Sequence, residues 1–92
     1  MIPTRTILKG NEPVLVYPIQ MKSTSNLVTH YYVHIIYTKL NNNEHRLRTI
    51  NIPTRNQRDE IFATETELKA GYDKLICDLE KQGFTVIKKE EC

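Results

Sequence analysis

Cysteine is nearly absent from this chain of 92 residues. Cys77 and Cys92 are the only two, and the second is the final residue, so the disulfide framework that staples small secreted domains is not indicated. The expected setting is reducing and cytoplasmic. Glycine occurs three times, at positions 10, 71 and 83, in no spacing that would cradle a phosphate, which argues against nucleotide chemistry. The longest aliphatic or aromatic run is Val-Leu-Val-Tyr at residues 14–17, far short of the ~20 apolar residues of a membrane span. The N-terminal residues lack both the basic start and the apolar stretch of a secretory leader, and read as a mature end. Charge of one sign is also lacking: 13 Lys and Arg stand against 11 Asp and Glu. Lys88-Lys89 lies directly against Glu90-Glu91, so no like-charged tail forms. Bulk charge does not select a partner.

What is present describes one domain over residues 1–92, with 39% apolar and 26% charged residues. Burying about fifteen large apolar side chains at ~1.5–3 kcal/mol each supports one core and not two. Two stretches, 4–9 and 13–21, flank Gly10-Asn11 and suggest a first hairpin. A polar connector follows over 22–26. The second hairpin is better marked: 30–40 and 46–52 are rich in β-branched and aromatic residues, with Asn41-Asn42-Asn43 between them. A two-residue turn at Asn42-Asn43 would set Ile35 opposite Ile50 and Val33 opposite Ile52. A three-residue loop would instead set Val33 opposite Asn51 and Ile35 opposite Thr49, so the hydrophobic pattern favours the tight turn.

After Pro53 the period changes from two to about 3.6, and Ile61, Leu68, Tyr72, Leu75, Ile76 and Leu79 fall on one helical stripe about 100° wide. Two capping boxes are readable, Thr54 with Gln57 and Thr64 with Glu67. They predict a short helical turn over 56–62 and a main helix over 65–82, ended by Gly83 as a left-handed cap. A last strand over 84–88 carries Phe84 and Val86 on one face. The fold class is therefore α+β, in the order β-β-β-β-α-β: a small antiparallel or mixed sheet with one helix packed on one face. Ile-Pro-Thr-Arg occurs at 2–5 and 52–55, but the likeness extends in neither direction and marks no repeat.

His30 and His34 share a strand face but sit about 13 Å apart at ~3.3 Å per residue, and His45 is remote from both, so no metal site and no cofactor is expected. No catalytic constellation stands out. Tyr32, His34, Arg46 and Arg48 are the residue types of a small ribonuclease, but the favoured register puts His34 and Arg48 on opposite faces. The same register collects Lys39, Arg46 and Arg48 on one face of the hairpin tip, with Lys39 opposite Arg46 and His45 at the turn. Such a cluster suits a phosphate or an acidic protein surface, or simply splays into water. The hairpin face away from Val33 and Ile35 carries Tyr32, His34, Ile36, Leu40 and Leu47, too apolar for ordinary solvent-facing sheet. It is expected to lie beneath the first hairpin or to form an interface. Cys77 should be exposed.

The leading expectation is a non-catalytic protein-interaction module that binds a larger protein or dimerises through its sheet. Many isoleucines, asparagines and lysines suggest an AT-rich genome, which fits a small inhibitor or regulator from a phage or mobile element. The alternative is a nucleic-acid binder using the basic hairpin tip, and the third a small ribonuclease or toxin. No membrane contact and no small-molecule cofactor are expected.

Overall fold

The computed structural model describes residues 2–15 and 30–90. Five strands, β1 (Arg5–Gly10), β2 (Tyr31–Lys39), β3 (His45–Ile52), β4 (Gln57–Phe62) and β5 (Thr85–Glu90), form one sheet in the order β4-β3-β2-β1-β5. Every neighbouring pair is antiparallel. One helix, α1 (Glu65–Lys81), lies between β4 and β5 in the chain and packs on one face of the sheet. This is the α+β architecture that the periodicity predicts, with the last strand antiparallel to β1. Among the described residues no helix is long and apolar enough to cross a membrane.

The second hairpin takes the register that the hydrophobic pattern disfavours. Val33 stands opposite Asn51, Ile35 opposite Thr49 and Lys39 opposite His45. The loop spans Asn41, Asn42 and Asn43, with the Leu40 N–H donating to the Glu44 carbonyl at 2.8 Å and the Asn43 N–H to the Leu40 carbonyl at 3.1 Å. Asn43 adopts φ 67°, the left-handed residue of a three-residue hairpin loop and a conformation that asparagine tolerates. The Asn42 side chain fixes the bend by accepting from the Glu44 N–H at 3.1 Å and donating to its carboxylate at 2.6 Å. Within β2 the inward face is as expected, since Val33 and Ile35 are buried. Along β3 the one-residue shift turns every side chain over: Leu47, Thr49 and Asn51 are buried beneath the helix, while Ile50 and Ile52 face the other way.

Residues 56–62 form no helical turn; most of them belong to β4. Arg55 has φ 64°, which ends any helical start at Thr54, whose hydroxyl accepts from the Asn56 N–H at 3.4 Å. The Arg55 N–H donates to the Asn51 carbonyl at 2.6 Å and the Asn51 N–H to the Asn56 carbonyl at 2.8 Å, closing a β3–β4 hairpin. Long-range pairing overrides local preference here. Ile61 is thereby removed from the helical stripe to an edge strand. The two Ile-Pro-Thr-Arg segments also differ, the Ile52–Pro53 bond being cis.

β1 does not serve as an arm of the expected first hairpin. β1 is flanked by β2 on one side and β5 on the other, so neither of its edges is left for a strand over 13–21. Residues 13–15 are not strand, and 16–29, including the connector over 22–26, lie outside the described residues. Gly10 ends β1 for a packing reason: a Cβ there would sit 2.9 Å from three Phe84 ring atoms.

Helix α1 follows its sequence signals. The Thr64 hydroxyl accepts from the Glu67 N–H at 3.2 Å, and at the other end Gly83 has φ 92°. The Gly83 N–H donates to the Glu80 carbonyl and the Phe84 N–H to the Leu79 carbonyl, each at 3.0 Å, completing the paired bonds of a Schellman cap. Leu68, Tyr72, Leu75 and Leu79 are buried from the helix side against Leu8, Val33, Ile35 and Leu47 from the sheet. The buried Thr6 and Tyr72 hydroxyls share a hydrogen bond at 2.9 Å, tying β1 to α1.

Candidate interaction surface

Because α1 covers one face, the residues of opposite parity line a second face that no other described element overlies. Its composition follows from the pairings. Across β4, β3 and β2 run Ile61, Arg46 and Thr38. The next row, from β4 to β5, is Asp59, Arg48, Ile36, Arg5 and Glu90, and the one after it is Gln57, Ile50, His34, Ile7 and Lys88. Ile52, Tyr32, Lys9 and Thr85 complete the face. Its centre is half-buried and largely aliphatic, through Ile7, Ile36, Ile50 and Ile52 with Tyr32. Five cations surround that centre, and the two carboxylates are both engaged.

Those engagements are specific. Arg48 donates through Nε to Asp59 Oδ1 at 2.9 Å and through Nη2 to Asp59 Oδ2 at 3.1 Å, a two-pronged pair that holds the Asp59 carboxyl below its usual range. Lys88 lies 2.9 Å from Glu90 Oε1 and depresses that carboxyl by the same means. Arg46 has no such partner among the described residues. Its Nη2 reaches only the Thr38 hydroxyl, at 3.4 Å, and its Nε is shut from solvent with no acceptor. A buried donor left unmade costs about 1–3 kcal/mol.

His34 sits between Ile7 and Ile50 on this face. Burial lowers its pKa, and the Arg5 charge adds to the effect. Contrary to the favoured register, His34 and Arg48 share a face, as do Tyr32 and Arg46. The ribonuclease set thus shares one face but is strung along it, with Tyr32 and Arg46 about 20 Å apart at ~3.3 Å per residue, and among the described residues no carboxylate is in hydrogen-bonding contact with His34. Among these residues, too, no cluster of three or more His, Cys, Asp or Glu is placed to hold a metal ion.

The basic tip is not assembled as expected. Lys39 belongs to the helix-side register and opposes His45, not Arg46, while His45 is buried with its Nδ1 hydrogen-bonded to the Tyr37 hydroxyl at 2.9 Å. Arg48 opposes Ile36 on the helix-free face. Of the expected interface residues, Tyr32, His34 and Ile36 are on the helix-free face. Leu40 lies beyond β2, at the loop closure, and Leu47 is only 4% exposed, under the helix. Sequence reasoning missed Arg5, Lys9, Ile50 and Ile52; the three-residue loop supplies the signal for the two isoleucines. His30 meets Asn11 Oδ1 at 3.2 Å through Nδ1, and Cys77 is free and exposed as expected.

No family model, curated protein or solved structure matches this chain.

Proposed function

We propose that this chain is a non-catalytic protein-interaction module that binds a larger protein through the helix-free face of its sheet, as an inhibitor or regulator does. The observation carrying this reading is the aliphatic centre of Ile36, Ile50, Ile52 and Ile7 on a face that no other described element covers, ringed by cations. An apolar centre with a charged rim is the anatomy of a protein contact. Nucleic-acid bases would call for stacking planes, and among the described residues the register places only the rings of Tyr32 and His34 there. Self-association face to face would set one cation-rich face against another, which disfavours a symmetric sheet dimer. A cytoplasmic setting accords with the free thiol of Cys77.

The alternative, a nucleic-acid binder, draws support from the five cations on one face rather than from the hairpin tip. One experiment separates the two. A photo-crosslinking residue at Thr38 or Ile61, with Lys74 on the exposed side of the helix as control, should yield nuclease-resistant protein adducts in cells of the source organism from the first two positions only. Adducts destroyed by nuclease, or equal yields from all three positions, would count against the protein-docking reading.

A further inference from the structure

We propose that Arg46 is a receptor for a carboxylate of the docking protein, so that the partner presents an aspartate or glutamate beside an aliphatic residue. This rests on the reading of the helix-free face as a protein-docking surface, and it assigns the chemistry of one contact within it.

Arg46 stands between Thr38 on β2 and Ile61 on β4. Neither neighbour carries charge, and among the described residues the guanidinium makes only the long hydrogen bond to the Thr38 hydroxyl. Its Nε has no acceptor. Arg48, two residues along the same strand, shows what such a fork does when an anion is at hand: both prongs close on Asp59. That carboxylate is consumed, and Arg46 acts on it only through its field. The position is also accessible, because β4 is an edge strand with no described neighbour beyond it and Ile61 is 50% exposed.

An incoming carboxylate would meet the outer Nη edge of this guanidinium, since the Nε is shut from solvent, with a hydroxyl beside it and an aliphatic surface for the methylenes or the next side chain. A chain of phosphates fits less well. Asp59 sits in the adjoining row and already neutralises Arg48, so a second phosphate would meet a carboxylate rather than a cation.

The test is an NMR titration of labelled protein with three probes. They are a capped pentapeptide of alternating isoleucine and glutamate, the same peptide with glutamine for glutamate, and a ten-nucleotide oligothymidylate. The glutamate peptide should shift the Arg46 Nε–Hε signal and the Ile61 methyl saturably, and bind about tenfold or more tightly than the glutamine peptide, equivalent to about 1.4 kcal/mol. Arg46→Gln should abolish that preference. If the variant loses its dispersed spectrum, Thr38→Val serves in its place and should weaken the glutamate peptide selectively. Equal shifts by both peptides at Ile36 and Ile50, with none at Arg46 Nε, would overturn the carboxylate receptor while leaving the docking face standing. No saturable shift with either peptide, or tighter binding of the oligothymidylate, would overturn the receptor as well.

Discussion

Ile35 on β2 stands directly opposite Thr49 on β3, and both side chains are sealed beneath the helix. That pairing hands the isoleucines of β3 to the opposite face, where they meet Ile36 and the arginines. The surface of the protein is therefore set by the length of one loop, and the loop is where the account is first exposed to test.

Asn43 holds a left-handed conformation at φ 67°, which β-branched residues resist. Asn43→Val should destabilise the protein by about 1–2 kcal/mol, whereas Asn43→Gly should be neutral or mildly stabilising. Urea midpoints for both variants check this; equal losses for Val and Gly would show that the loop does not have the described geometry.

Hydroxyl pairing between Thr6 and Tyr72 crosses from sheet to helix in a buried site. Tyr72→Phe should cost about 1–3 kcal/mol, because it leaves the Thr6 hydroxyl unsatisfied. Adding Thr6→Val removes the orphan and should recover part of that loss. A double-mutant cycle with no coupling would mean that the bond contributes nothing.

How much of this was legible depends on the kind of signal. Helix α1 was readable to within a residue, because Thr64, Glu67 and Gly83 act locally at its ends. The inward face of β2 was also readable, since Val33 and Ile35 share parity whatever the loop does. The face of β3 was not: its orientation hangs on one loop residue, and the real register buries Thr49 and Asn51, against the rule that isoleucine goes inside. β4 carries Gln, Arg, Asp and Glu with a single β-branched residue, so it looked helical until its partner was known. The β1–β5 pairing joins the two ends of the sequence, which no local pattern announces. Arg5 and Lys9 therefore stayed invisible as members of the surface.

Gly71 lies within α1, where glycine costs about 1 kcal/mol relative to alanine. It is retained beneath the Phe62 ring, whose Cζ would sit 2.7 Å from an added Cβ. Gly71→Ala should thus be close to neutral alone, its helical gain offset by displacement of Phe62. In a Phe62→Leu background the same change should stabilise by about 1 kcal/mol. Thermal unfolding of the four proteins of this cycle measures the difference, and identical effects in both backgrounds would contradict the contact.

Burial and the Arg5 charge hold the pKa of His34 below the ordinary imidazole value, so the unfolded chain binds this proton more readily. The associated stability is whole above about pH 6.5. It falls as pH drops through that value toward the folded pKa, and levels off below it. His34→Gln should remove this component between about pH 7.5 and 5. The depressed carboxyls of Asp59 and Glu90 act in a separate window: their stabilisation is present above the usual carboxylate range and lost as pH falls below it. A stability–pH curve unchanged by His34→Gln would contradict the placement of that ring.

Thiol labelling reads the composition of the helix-free face most directly. With Cys77 and Cys92 replaced by serine, a cysteine introduced at Ile50 should react with a maleimide reagent about tenfold or more faster than one at Leu47, which is 4% exposed. Protection of the Ile50 thiol in the presence of a captured partner would then place that partner on this face. Fast reaction at position 47 with protection at 50 in the free protein would mean that β3 is turned the other way, and the proposed docking surface would not exist.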